Sequence, residues 1–355
     1  KAFSDQHFVF YGTALQGTPE QRARWKRAVD ATNDALGEAV GKLYVAKYFP
    51  ASAKAQLKVM VANIEAAYRK RIDAVAWMSP KTKAEAKRKL TTLTVGIAYP
   101  DKWRDYSAFK VVRGDAVGNA ERSEILEYNY RRSLLGKPVD RKEWVMTPQT
   151  VDAVNLPILN ALNFPAGILQ PPFYNPAAPA AVNYGSIGAA IGHEISHSFD
   201  NTGAQFDAQG HLRNWWTDAD LKQFKAAGEA LAKQFDGYRP FTDLGVNGQQ
   251  TLGENIADLA GLATSYVAYR ASLRGTEAPV VDGLTGDQQF FLAYAQSWRT
   301  YMRPEALRQF LIKDGHAPAH YRALTVRNLD PWYAALPIKE TDKLYLAPKD
   351  RVRVW

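Results

Sequence analysis

The run Gly188-Ala189-Ala190-Ile191-Gly192-His193-Glu194-Ile195-Ser196-His197 constrains this chain more than any other. Every residue before the first histidine is small or apolar, which suits a helix buried among others. Two histidines four positions apart fall on one face of such a helix, so both imidazoles can point at one ion. The plain alternative is a pair of surface histidines on an ordinary helix, and the apolar flanks oppose it. The fold must therefore bury a helix that carries two imidazoles aimed at one place.

Glu194 projects beside that pair and can reach a metal-bound water, which is the His-Glu-x-x-His arrangement of zinc hydrolases. Two histidines leave zinc short of the three protein ligands that a catalytic site usually has. Gly253-Glu254-Asn255-Ile256-Ala257-Asp258 offers the best third ligand. Glu254 and Asp258 are again four apart, on a helix whose other residues include Ile256, Leu259, Ala260 and Leu262. Two carboxylates on a buried face need partners. A metal for Glu254 and a ligand imidazole N–H for Asp258 satisfy both. Capping a helix start, or pairing with Lys and Arg, is the other use of this spacing, and the histidine pair favours the metal.

Composition narrows the rest. Of 355 residues, 46% are hydrophobic and 23% charged, which excludes a disordered tail or a fibre. Lys and Arg number 45 against 36 Asp and Glu, a formal charge of +9. The densest basic clusters, Arg69-Lys70-Arg71 and Lys87-Arg88-Lys89, lie in helix-like segments and read as solvated faces rather than a nucleic-acid surface. There is no cysteine, so disulfides and thiol chemistry are excluded. No apolar run reaches the roughly 18 residues of a membrane span. No Asn-x-Ser/Thr sequon occurs, which favours a bacterial source.

Along the chain, Thr18-Pro19-Glu20-Gln21 predicts a helix start followed by a core stripe at Trp25, Val29, Leu36, Val40 and Leu43. A second helix is predicted over Lys54–Trp77 with Leu57, Val61, Ile64 and Ala67 inward, and a third from Ser79-Pro80 to about Leu93. The pattern weakens from Tyr99 to Asn119, the candidate domain boundary. Short apolar runs between Thr147 and Leu169 predict strands, and Tyr184–Phe199 and Leu252–Leu273 predict helices.

Further runs make the sequence familiar: Asn183-Tyr184-Gly185-Ser186-Ile187-Gly188 leading into the histidine pair, Phe164-Pro165-Ala166-Gly167-Ile168-Leu169-Gln170-Pro171-Pro172-Phe173, Asn214-Trp215-Trp216 and Arg353-Val354-Trp355. Together with Gly253–Asp258 they resemble the neprilysin-type zinc metallopeptidases, family M13, from near residue 8 to 355. The resemblance implies a mainly α (α+β) fold: residues 1–115 as part of a helical lid, and 116–355 as a thermolysin-like catalytic domain with a small sheet. It implies one zinc ion held by His193, His197 and Glu254, with Glu194 as general base and Asp258 orienting a ligand imidazole. His316 would stabilise the oxyanion and Arg322 would hold a substrate carbonyl. Residue type alone does not separate His316 from His320, His211 or His7, which are expected to be structural. The implied activity is hydrolysis of short peptides by Glu-assisted attack of zinc-bound water. By the same resemblance the protein is expected to be periplasmic or secreted.

Three departures from the family modify this reading. Where the family carries Asn-Ala before the Phe-Pro-Ala run, this chain has Asp152-Ala153. An ionised Asp only accepts hydrogen bonds, so altered substrate docking is expected there. Ala189 and Ala190 stand where bulkier apolar residues line the pocket in relatives. With Phe173, Ile168 and Trp298 as walls, cleavage before large hydrophobic residues is expected. The chain is also about half the family's length and begins at Lys1. The missing N-terminal half is expected as a second chain or segment. The rival readings are a peptide-binding protein without turnover and, more remotely, a basic nucleic-acid binder.

Overall fold

The computed structural model describes residues 2–355. Thirteen α-helices and one small sheet make up the described chain. The first part holds α1 (Ala2–His7), α2 (Arg24–Tyr48), α3 (Ala51–Ala74), α4 (Pro80–Thr91), β1 (Thr94–Ala98) and α5 (Ala116–Ser133). Then come β2 (Val154–Leu156), β3 (Ala161–Pro165), α6 (Ala180–Asn183), α7 (Ala189–Ser196), α8 (Asp218–Asp236) and α9 (Leu252–Ser272). The chain finishes with α10 (Gly286–Ser297), α11 (Pro304–Lys313), α12 (Ala319–Ala323) and α13 (Asp330–Ala335).

The sheet order is β1-β3-β2. β1 runs parallel to β3, from Thr94 opposite Ala161 to Ala98 opposite Pro165. β2 runs antiparallel on the other side, with Val154 opposite Asn163. Every residue of β3 is buried, as a central strand covered on both faces should be.

α7 and α9 cross at the centre, with α3 packed on the same side. Leu57, Val61, Ile64 and Ala67 of α3 are buried as their spacing predicts. Tyr68 of the same helix donates its hydroxyl to the carbonyl of Gly192 on α7, 2.8 Å away. Ser79 caps α4 by accepting from the Thr82 N–H, as its Ser-Pro start predicts. Asp220 of α8 clamps that cap, accepting from the Ser79 N–H and both hydroxyls.

Two expectations need correction. Residues 18–23 are not helical, and α2 begins at Arg24. Trp25, Val29 and Leu43 are exposed, and the buried positions of α2 are Gly37 and Gly41. The helix lies glycine-first on the Thr147-Pro148 segment, where a side chain would collide. Packing crosses the expected boundary near residue 115. β1 is a strand of the later sheet and α3 rests on α9, so residues 51–98 share the core that reaches Val354. α5 and most of α2 stand off that core and pack on each other, with α2 reaching the core through Tyr44 and Val45.

Candidate metal centre

The approach to α7 is a π-helical turn, Tyr184–Gly188, wider than α and able to shift the side chains that follow. Its Ser186 hydroxyl donates to the carbonyls of Phe173 and Val182, and Ser265 of α9 donates to the Tyr184 carbonyl. The turn is thereby fixed to both the Phe173 loop and α9. α7 then presents His193, Glu194 and His197 from a buried helix.

The two imidazoles meet edge to face, with their Nε2 atoms 2.9 Å apart. His193 Nδ1 lies 2.8 Å from Asp258 Oδ1, and His197 Nδ1 lies 2.6 Å from Asp200 Oδ2. Both partners are carboxylates, so each Nδ1 carries the hydrogen and each Nε2 turns its lone pair inward. Two lone pairs facing one another repel unless a cation lies between them. Glu254 completes the group: its carboxylate lies 3.2 Å from His193 Nε2 and 3.5 Å from His197 Nε2. His193, His197 and Glu254 each offer one ligand atom within a single 4.8 Å cluster. The buried Oε2 of Glu254 has imidazole nitrogens of His193 and His316 within 3.2 Å but no well-aligned hydrogen bond among the described residues. Two nitrogen donors and one carboxylate, each held from behind, are the donor chemistry of a catalytic zinc site with an open position, and the residues fit that ion.

Electrostatics agree with a cation. Burial and the neighbouring imidazole push His193 down, yet Asp258 and Glu254 prevail and raise it. His197 is also opposed by burial and is held well above its ordinary value by Asp200 and Glu254. Glu254 is pushed up by burial and driven far below the carboxylate range by the surrounding imidazoles. The three carboxylates thus favour positive charge at or between the two imidazoles.

Around this centre, Asp258 is fully enclosed and receives two 2.7 Å hydrogen bonds from Arg322 Nε and Nη2. Burial raises the Asp258 pKa, and the Arg322 guanidinium overrides it and lowers it. Arg322 stacks on Trp298 at 4.2 Å. His316 reaches in from the loop before α12, with Nε2 3.0 Å from Glu254 Oε2 and Nδ1 2.6 Å from Asp314. Glu194 makes the wall between, and burial pushes its carboxyl pKa up. Asn155 of β2 donates to the Glu194 carbonyl at 2.7 Å and to the Ser198 hydroxyl at 2.9 Å, tying the sheet edge to α7.

A cleft of about 680 Å³ opens over the centre, and Ile168, Phe173, Ala189, Ala190 and Trp298 line it. Asp152 and Ala153 sit on its rim, where the Asp152 carboxylate accepts from the Ala153 N–H at 2.9 Å. His7, His211 and His320 lie outside the cleft lining. Asp200 and Asp314 were not assigned a role from sequence. Their signal was spacing to a histidine, His197-x-x-Asp200 and Asp314-x-His316.

Residues 152–352 match the model of peptidase family M13, and residues 1–100 match a second model described as the same family. This chain belongs to peptidase family M13. A neutral endopeptidase of Lactobacillus helveticus is 37% identical to the M13 chain over 348 residues, covering 97% of it and 52% of the relative. A zinc metalloprotease of Mycobacterium tuberculosis in complex with an inhibitor superposes on 100% of the chain and 55% of its own, with TM-score 0.95 and 45% identity. The same metalloprotease in an open state gives 0.84 at 45% identity, over 100% of this chain and 56% of that one. The expected mainly helical fold with a small sheet is the one these structures share. The M13 chain spans about half the length of the curated relatives it matches.

Proposed function

We propose that the protein containing this chain is a zinc-dependent peptidase that cuts short peptides. The observation that carries this reading is the convergence of His193, His197 and Glu254 beside a buried Glu194 on the wall of one cleft. Zinc at those donors would polarise the scissile carbonyl and lower the pKa of water towards about 7. Glu194 takes the water proton on its carboxylate and returns it to the leaving amine. Its burial-raised pKa suits a group that must do both near neutrality. His316 and Arg322 supply positive charge beside Glu254, where the carbonyl oxygen would gain negative charge. Arg322 commits Nε and Nη2 to Asp258 and keeps Nη1 to donate to a substrate carbonyl.

Specificity follows from the walls. Ala189 and Ala190 leave room opposite Phe173, Ile168 and Trp298, which favours a large hydrophobic residue after the cut. Asp152 adds a carboxylate to the rim that can accept from a peptide's amino group. The exposed apolar side chains of Phe3, Trp25, Val29 and Leu43 support packing of a further segment of the protein against the α1–α2 region. Export to the periplasm or medium is proposed on the family resemblance, and cell fractionation checks it.

Mass-spectrometric mapping of cuts in a diverse peptide pool tests the reading on the full-length protein, with chelator and Glu194→Gln as controls. Cuts before Phe, Leu or Trp that vanish in both controls are expected. Cuts that survive Glu194→Gln remove its role as base. No cuts from zinc-loaded protein would favour a peptide binder without turnover.

A further inference from the structure

Behind the metal centre sits a buried lysine that the proposed chemistry does not use. Lys89, in the last turn of α4, is 1% exposed. Its Nζ donates to three backbone carbonyls, Ser198, Gly203 and Phe206, each at 2.7 Å. An ammonium has three donors, so all three are used. No carboxylate touches it, and Asp200 and Asp207 act on it through space. Burying a cation without a contacting counter-ion is expensive, so the arrangement calls for a reason beyond filling space.

The three carbonyls belong to one turn, the segment that follows ligand residue His197. The same turn wraps around Asp200 from its other side. Asp200 Oδ1 accepts from the N–H groups of Thr202 and Gly203, both at 2.7 Å, while Oδ2 holds His197 Nδ1. Gly203 therefore gives its N–H to the aspartate and its carbonyl to the lysine. The turn folds so tightly that a Cβ on Gly203 would lie 1.7 Å from the His197 carbonyl oxygen. Negative charge collects the amides and positive charge collects the carbonyls, and between them the backbone has one path. α4 itself is anchored at both ends. Asp220 holds its first turn, and Asn160, just before β3, donates to the Lys89 carbonyl at 3.0 Å.

We propose that Lys89 is a positioning residue for the metal centre, holding the 198–206 turn so that Asp200 fixes the tautomer and direction of His197. The inference rests on reading His193, His197 and Glu254 as the metal donors. Lys89 touches neither metal nor substrate, and it acts through Gly203 and Asp200.

The test is zinc affinity of the full-length protein, measured by competition with a chelator, alongside thermal unfolding of the metal-free form. Lys89→Met keeps the length of the chain and removes the ammonium. It is expected to weaken zinc about tenfold, as loss of a residue supporting a ligand does. Asp200→Asn is expected to weaken zinc similarly, and the double variant no more than the larger single loss. Asp220→Asn loosens the other end of α4, and it should lower the melting temperature while leaving zinc affinity unchanged. The proposal is overturned by zinc affinity in Lys89→Met within twofold of wild type. It is equally overturned by losses that multiply in the double variant, or by Asp220→Asn weakening zinc as much for the same loss of stability. Wild-type protein that binds no zinc would remove the metal reading first, and this inference with it. Should Lys89→Met not fold, Lys89→Gln, which loses the charge and one donor, is used instead, and zinc affinity within twofold of wild type despite a lowered melting temperature overturns the proposal.

Discussion

Gly192 and Gly261 meet backbone to backbone where α7 crosses α9. A Cβ on Gly192 would lie 2.5 Å from the Gly261 carbonyl oxygen, and one on Gly261 would lie 2.3 Å from the His193 amide nitrogen. Neither can accept a methyl without parting the helices. Their closeness brings the histidines of one helix within reach of Glu254 and Asp258 on the other. Gly261→Ala is expected to cost about 1–3 kcal/mol through overpacking. It should also weaken zinc, because the donors move apart. Chelator competition and urea unfolding check both; unchanged zinc affinity in a destabilised protein would show that the crossing distance does not set the site.

Asp258 links two partners that both depend on its charge. Asp258→Asn leaves the Arg322 guanidinium buried without its counter-charge and gives His193 a weaker acceptor. Zinc affinity should fall about 10- to 100-fold. Stability should fall as well, by about 3 kcal/mol. Double substitution with Arg322→Met is expected to restore part of the stability and none of the zinc affinity. Recovery of both would mean that Asp258 serves Arg322 alone.

Asp152 can be tested by the pattern of cuts rather than by their rate. Asp152→Asn offers the rim an amide that both donates and accepts. Cuts near a free amino terminus should decline relative to internal cuts. An identical cleavage profile for the two proteins would remove the carboxylate from specificity.

Asp207 provides a pH signature remote from the cleft. Burial pushes its pKa up, but Arg213 and the N–H groups of His211 and Gln209 prevail and hold it at about 2. In the unfolded chain an aspartate titrates near its ordinary value of about 3.9. The folded protein therefore binds the proton less readily, and the contribution is fully present above about pH 4. It is lost as pH falls from there towards 2. Asp207→Asn should be less stable than wild type at pH 7, by roughly 1–2 kcal/mol. The gap should narrow by about half at pH 3 and close in denaturant titrations at about pH 2 and below. A gap of constant size across that range would show that ionisation of Asp207 contributes nothing.

The centre was legible in the sequence because its chemistry is written at helical spacing. His193 with His197, and Glu254 with Asp258, need only a helix to share a face. Asp200 was passed over because a lone aspartate three residues beyond a histidine looks like any turn residue. Lys89 reads in the sequence as one of a solvated basic cluster, since nothing local tells which of Lys87, Arg88 and Lys89 faces inward. The stripe on α2 misled for the opposite reason. Trp25, Val29 and Leu43 recur at helical spacing, yet the helix turns its glycines to the neighbouring segment. α5 went unrecognised because it buries no residue and so carries no stripe. α8 has a clear inward face at Phe224, Leu231 and Phe235 and was overlooked beside the more distinctive Trp215-Trp216.

The two imidazoles at the centre differ in how far along the chain their support lies. His197 is oriented by an aspartate three residues away, on a turn whose carbonyls Lys89 gathers from 109 residues earlier in the chain. His193 depends on Asp258, 65 residues on, which in turn depends on Arg322 another 64 beyond. Closing those long loops is a late and entropically costly event. The donor set is complete only once α9 and the loop of Arg322 have docked against α7. An ion held by all three donors would therefore report completed tertiary assembly.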